Sequence, residues 1–329
     1  MAPTYAEYLR LEELLALQRG HDGSPSPDEL HFIIVHQNFE LWFKLVISEL
    51  RTARDILDRD YVAEERIPRA VHHLRRVIET FRLMAQQWKV METLTPQDFL
   101  NFRDKLGTAS GFESFQMREM ETLLGPQLLD GEQRETHDVT EARPLVAVVA
   151  DWLARTPIMG SAPGDAGDDA VVARFIEDYL AAHATLGAET AERYGGSPEV
   201  RARFAAEAAG AREFFADGDG VDRARAGLLF IESYRELPLL AWPRRLVDTV
   251  VELEQQMVLW RSSHARMVER IIGRRTGTGG SSGVDYLDST TQWRVFCDLW
   301  AVRTLLIRKD ALPPLENAEF YGFAGDEDG

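Results

Sequence analysis

Apolar residues recur every three or four positions in almost every long segment of this chain, which gathers them on one side of an α-helix, whereas the alternation of a half-buried strand is hard to find. The pattern predicts an all-α protein built as a helical bundle. Tyr8, Leu11 and Leu15, with Leu14 beside them, mark a first helix over 5–17, and the run from Gly20 to Pro27 punctuates the chain after it. Further helices are expected over about 28–58, over about 68–92, from Thr95-Pro96 to a break at Ala109-Ser110-Gly111, and over 112–124. A long helix follows Pro243 and stops at Gly273, and a last one covers about 286–308. Between 125 and 219 the composition shifts to Ala, Gly, Asp and Glu, with helices at about 145–155 and 170–193 around a loop octet, 160–167. That stretch reads as a smaller helical lobe inserted into one domain spanning 1–329.

Composition narrows the possible partners. With 329 residues, 45% of them hydrophobic, the chain can bury a substantial core. A net charge of −17 argues against nucleic acid or an anionic membrane surface, since both would repel it. The lone Cys297 excludes an intramolecular disulfide framework and fits a reducing compartment, so the cytoplasm is the expected location. No apolar stretch approaches the length of a membrane span.

The run from Gly273 to Gly283 is rich in glycine and small hydroxyl residues, a composition that lets backbone N–H groups converge on an anion. It lacks the GK[ST] ending and the GxGxxG spacing of phosphate loops, and a helix precedes it rather than a strand, which points to another ligand. Nine residues before it stands His264, within the apolar series Leu253, Met257, Trp260, His264, Met267, Ile271, spaced 4, 3, 4, 3 and 4. A histidine on such a face is most often a core residue. Neutral imidazole among apolar neighbours is also a good axial ligand for haem iron, and the absence of CxxCH means that any haem is held non-covalently. A second aromatic face carries Phe32, His36, Phe39 and Phe43. No HExxH or paired His/Cys spacing occurs, which disfavours a zinc enzyme. Phe99 and Arg103, four apart, share a helix face just before Ser110-Gly111, and Arg103 is either a surface ion-pair partner or a clamp for a carboxylate.

These residues lie in segments that resemble the tryptophan 2,3-dioxygenase family: Tyr5-Ala-Glu-Tyr-Leu-Arg-Leu, Phe32-Ile-Ile-Val-His-Gln, Glu40-Leu-Trp-Phe-Lys, Met91-Glu-Thr-Leu-Thr-Pro, Phe102-Arg-Asp and Ala109-Ser-Gly-Phe. Trp260-Arg, His264, Met267-Val-Glu-Arg-Ile-Ile-Gly and Gly277-Thr-Gly-Gly-Ser-Ser-Gly complete the set in the same order, whereas 125–219 matches weakly. The resemblance implies an all-α homotetramer with haem b in each subunit, active as Fe(II), and O2 as co-substrate. It implies His264 as the iron ligand and His36 as the histidine that meets the indole N–H of an amino-acid substrate. Phe32 and Phe99 then wall the indole, Arg103 pairs with the carboxylate, Thr278 contacts the ammonium and carboxylate, and Ser110 and Gly111 fall at the cofactor. Tyr5, Tyr8 and Leu9 match a segment that reaches into a neighbouring subunit's site.

The expected reaction is oxidation of L-tryptophan to N-formylkynurenine, the first step of the kynurenine route. Departures from the family pattern fall around the site: Glu113 replaces the usual Gln, Asn38 and Phe39 follow His36-Gln37, and Ser262-Ser263 precede His264 where bulkier residues are common. They leave open a haem-dependent monooxygenase that turns a tryptophan or methylated indole into an oxindole. A gas sensor would need His264 but neither Arg103 nor Thr278, and a purely structural protein would need none of them.

Overall fold

The computed structural model describes residues 2–20, 22–107, 111–125, 143–275 and 283–322, and they are mostly helical. The helices are α1 (Tyr5–Leu9), α2 (Leu11–Leu14), α3 (Pro27–Leu57), α4 (Ile67–Met91), α5 (Pro96–Arg103), α6 (Phe115–Leu124) and α7 (Leu145–Ala154). They continue with α8 (Asp168–Arg193), α9 (Pro198–Phe215), α10 (Arg223–Ser233), α11 (Ala241–Ile272), α12 (Gly283–Thr290) and α13 (Cys297–Ala301). Strands β1 (Ala216–Asp217) and β2 (Gly220–Val221) pair antiparallel as a small hairpin. Among the described residues no helix is long and apolar enough to cross a membrane.

Local chemistry sets the helix starts. Thr95, Ser114 and Ser197 accept hydrogen bonds from the N–H groups of Asp98, Met117 and Val200, and proline occupies the first turn of α5 and α9. Ser26 does the same for Glu29 ahead of α3.

The chain divides into two compact units. The first comprises Met1–Leu50, Arg75–Val139 and Leu253–Arg294, and the second Arg51–Leu74, Thr140–Glu252 and Val295–Gly329. In the first unit the expected aromatic faces of α3 and α11 are packed: Phe39 stacks on Trp88 of α4 at 4.1 Å, and Phe43 and Phe81 meet Trp260 at 5.8 and 5.9 Å. Leu253, Met257, Met267 and Ile271 are buried as their spacing requires. In the second unit α7 and α10 approach so closely at Gly227 that an added Cβ would stand 2.2 Å from the Leu153 carbonyl oxygen. Arg223 of α10 pairs with Asp168 at 2.7 Å and donates from Nε to the Ala154 carbonyl at 2.9 Å.

Two expected helices are broken. The segment 5–17 bends at Arg10, whose φ of 51° is left-handed, and neither α1 nor α2 buries a residue, so no packing favours one continuous helix. The last expected helix, 286–308, resolves into α12, an irregular link, α13 and a 3-10 turn at Val302–Thr304. Ser289, Thr290 and Thr291 hydroxyls bond back to the carbonyls of Tyr286, Leu287 and Asp288, competing with the helical ladder where α12 ends.

Candidate functional site

The first unit holds a half-open cavity of about 250 Å³. Its walls are Phe32 and His36 from α3, Phe99 and Arg103 from α5, Leu106 and Gly111 beyond it, and side chains of α6, α11 and α12. Six of the residues singled out in the sequence, His36, Phe32, Phe99, Arg103, His264 and Gly111, therefore line one space. Thr278 and Ser110 lie outside the described residues, as does most of the glycine-rich run. Tyr5, Tyr8 and Leu9 do not line the cavity; they sit on α1, 76%, 77% and 41% exposed.

The two histidines are held in different ways. His36 Nδ1 lies 2.8 Å from the carbonyl oxygen of Phe32, one helical turn earlier, and a carbonyl can only accept. The ring proton is therefore on Nδ1, and Nε2 keeps a lone pair for a donor. Burial pushes the His36 pKa down, against the smaller opposing effect of the Phe32 carbonyl. His264 lies parallel on the Trp88 ring, 4.4 Å away and 3° off parallel, with Trp260 at 6.0 Å. Desolvation by its surroundings lowers its pKa to about 3. The imidazole is neutral at physiological pH, with lone-pair character available on the cavity that it lines.

A charged group that the sequence reading missed stands beside them. Arg118 Nη1 donates to Glu121 Oε2 at 2.5 Å, and Arg261 Nη2 donates to Glu121 Oε1 at 2.9 Å. Arg261 also reaches the Thr290 carbonyl at 3.3 Å and lies over Trp293, 5.6 Å from the ring centre. All three side chains are at most 5% exposed, and all three line the cavity. Two guanidinium groups thus flank one buried carboxylate, and Arg103 lines the same cavity. Guanidinium groups at one cavity are donors of the kind that ligands carrying carboxylates need. The signal in the sequence was an Arg three residues before Glu121 and another three before His264, each inside a run that reads as core.

Among the described residues no three His, Cys, Asp or Glu side chains converge as a metal cluster. A haem asks the protein for a single iron ligand, which the neutral His264 can supply. The residues fit one: a neutral imidazole, apolar and aromatic walls, and buried guanidinium groups as donors for the carboxylates at a haem's edge.

The family model described as tryptophan 2,3-dioxygenase matches residues 1–306. The chain is similar to tryptophan 2,3-dioxygenase 2 of Ralstonia nicotianae, 45% identical over 98% of this chain and 98% of that protein. It is 42% identical to tryptophan 2,3-dioxygenase of Sorangium cellulosum, over 97% of this chain and 87% of that one. A tryptophan 2,3-dioxygenase-like protein of Xanthomonas campestris pv. campestris is 44% identical over 70% of this chain and 98% of its own length.

Proposed function

The chain belongs to the tryptophan 2,3-dioxygenase family, and from that premise we propose that its cavity oxidises the indole ring of L-tryptophan with O2 to N-formylkynurenine. The observation that carries this reading is the convergence of a neutral His264, His36 with its Nδ1 on the Phe32 carbonyl, and Arg103 on one cavity.

His264 would hold haem b non-covalently, with Gly111 and Ser110 as cofactor-binding residues by the family resemblance, and the Arg118–Glu121–Arg261 group would supply donors for its propionates. Bound as Fe(II), the haem supplies the activation of O2. The protein positions and desolvates. His36 accepts the indole N–H at Nε2 and, with its pKa held down, stays neutral as it does so. Phe32 and Phe99 flank the indole and exclude water, while Arg103 pairs with the carboxylate through a fork suited to two oxygens. Thr278 meets the ammonium and carboxylate. The exposed Tyr5, Tyr8 and Leu9 complete the site of a neighbouring copy in a homotetramer.

Turnover of L-tryptophan under isotopically labelled O2, followed by mass spectrometry, tests the reaction. Two labelled oxygen atoms in N-formylkynurenine are expected. A single labelled atom in an oxindole would establish the monooxygenase reaction instead.

A further inference from the structure

Arg103 is the last residue of α5, and the chain then makes a 3-10 turn, Asp104–Leu106, which brings Leu106 to the cavity wall before Gly107 takes a left-handed φ of 56°. Lys105 stands between these two lining residues and reaches elsewhere. Its Nζ lies 2.8 Å from Asp22 Oδ2 and 3.2 Å from Glu29 Oε2. Asp22 precedes α3, and Glu29 is in the first turn of α3, 3% exposed. Glu29, Phe32 and His36 follow one another at intervals of three and four, so they share a face of that helix. Phe32 packs on Phe99 at 5.9 Å and on Phe102 at 5.6 Å, which joins α3 and α5 through apolar rings.

Ring contacts set how closely the two helices approach but resist sliding only weakly, because dispersion has little directionality. A charge pair with one member buried resists it more. The exposed Asp22 arm contributes little. The Glu29 arm differs, since removing Lys105 would leave a carboxylate buried without the cation that meets it.

We propose that Lys105 is a positioning residue for the substrate: by tying the Arg103 turn to Glu29, it sets the reach between the carboxylate clamp on α5 and the indole-accepting His36 on α3. The site then selects indole amino acids whose carboxylate stands at that reach. This rests on the function proposed above and adds to it a residue that touches neither substrate nor cofactor.

The test uses the haem-loaded protein and two probes, L-tryptophan and tryptamine, which keeps the indole and ammonium but lacks the carboxylate. Binding is read from displacement of the Soret band. Lys105→Met is expected to weaken L-tryptophan about tenfold, the scale of a displaced anchor, and tryptamine less than about twofold. Lys105→Arg is expected to restore the wild-type difference between the probes. If Lys105→Met does not accumulate, Glu29→Gln removes the buried charge at equal size and must give the same split. Equal weakening of both probes, or none in either variant, overturns the proposal and leaves the assigned function standing. A wild-type protein that binds tryptamine as tightly as L-tryptophan overturns both.

Discussion

In the second unit, three tyrosines, two of them buried, fasten their hydroxyls to the chain, whereas in the first the two indoles beside His264 bond their N–H groups to nothing. Tyr179 donates to the Leu305 carbonyl at 3.2 Å and accepts from Ile307 N–H at 3.1 Å. Tyr234 donates to the Pro313 carbonyl at 2.6 Å, and Tyr321 donates to that of Pro157 and accepts from Gly160 N–H, both at 2.9 Å. Trp88 Nε1 and Trp260 Nε1 are buried without a hydrogen-bond partner. An unmet buried donor costs about 1–3 kcal/mol, so each of these two indoles gives up stability that the three tyrosine hydroxyls keep. What the first unit gains is an imidazole in an aromatic sleeve, too poorly solvated to take a proton. The contrast separates a region arranged for hold from one arranged for chemistry.

The hardest test of that division is His264→Ala, which should abolish axial ligation, shift or remove the Soret band and end turnover. An unchanged haem spectrum with activity intact would erase the distinction between the units. Next in size is Gly227→Ala in the second unit, where the new Cβ must push α7 from α10. It should cost about 3 kcal/mol in chemical denaturation, as overpacking does, while the folded protein keeps its Soret position. Loss of less than about 0.5 kcal/mol would mean that this contact yields easily.

Counted per pH unit, the smallest effect is on acid stability. His264 has a folded pKa of about 3, below its ordinary value of 6.5, so between those values the unfolded chain binds a proton that the folded one refuses. Apoprotein stability should therefore fall as pH drops from 6.5 toward 3, by at most about 1.4 kcal/mol per pH unit from this group. The contribution is absent above 6.5. Denaturation at several pH values should show a shallower acid slope in His264→Ala than in wild type. Identical slopes would place the acid sensitivity elsewhere.

Long helices were legible because their periodicity is repeated many times: α3, α4 and α11 begin and end within a few residues of the positions expected from spacing, proline and glycine. The breaks were not. Arg10 adopts a left-handed conformation without a glycine to announce it, and the hydroxyls that end α12 act through bonds that periodicity does not register. Strands of two residues, as in the hairpin after α9, are too short to show alternation. In the site, aromatic and histidine faces could be read because 3- and 4-residue spacing gathers them on one helix. The Arg118–Glu121–Arg261 group could not, since Glu121 and Arg261 are 140 residues apart and their pairing depends on how α6 meets α11.

The N-terminal helix α1 carries a reciprocal cap, in which Thr4 accepts from Glu7 N–H and the Glu7 side chain accepts from Thr4 N–H, yet none of its five residues is buried. Such bonds restrict the backbone before any surface is met. Were Tyr5 and Tyr8 to dock as proposed, part of the conformational entropy of that turn would already have been lost, and association would have less backbone to still. A short exposed segment can in this way bind with the economy of a rigid one.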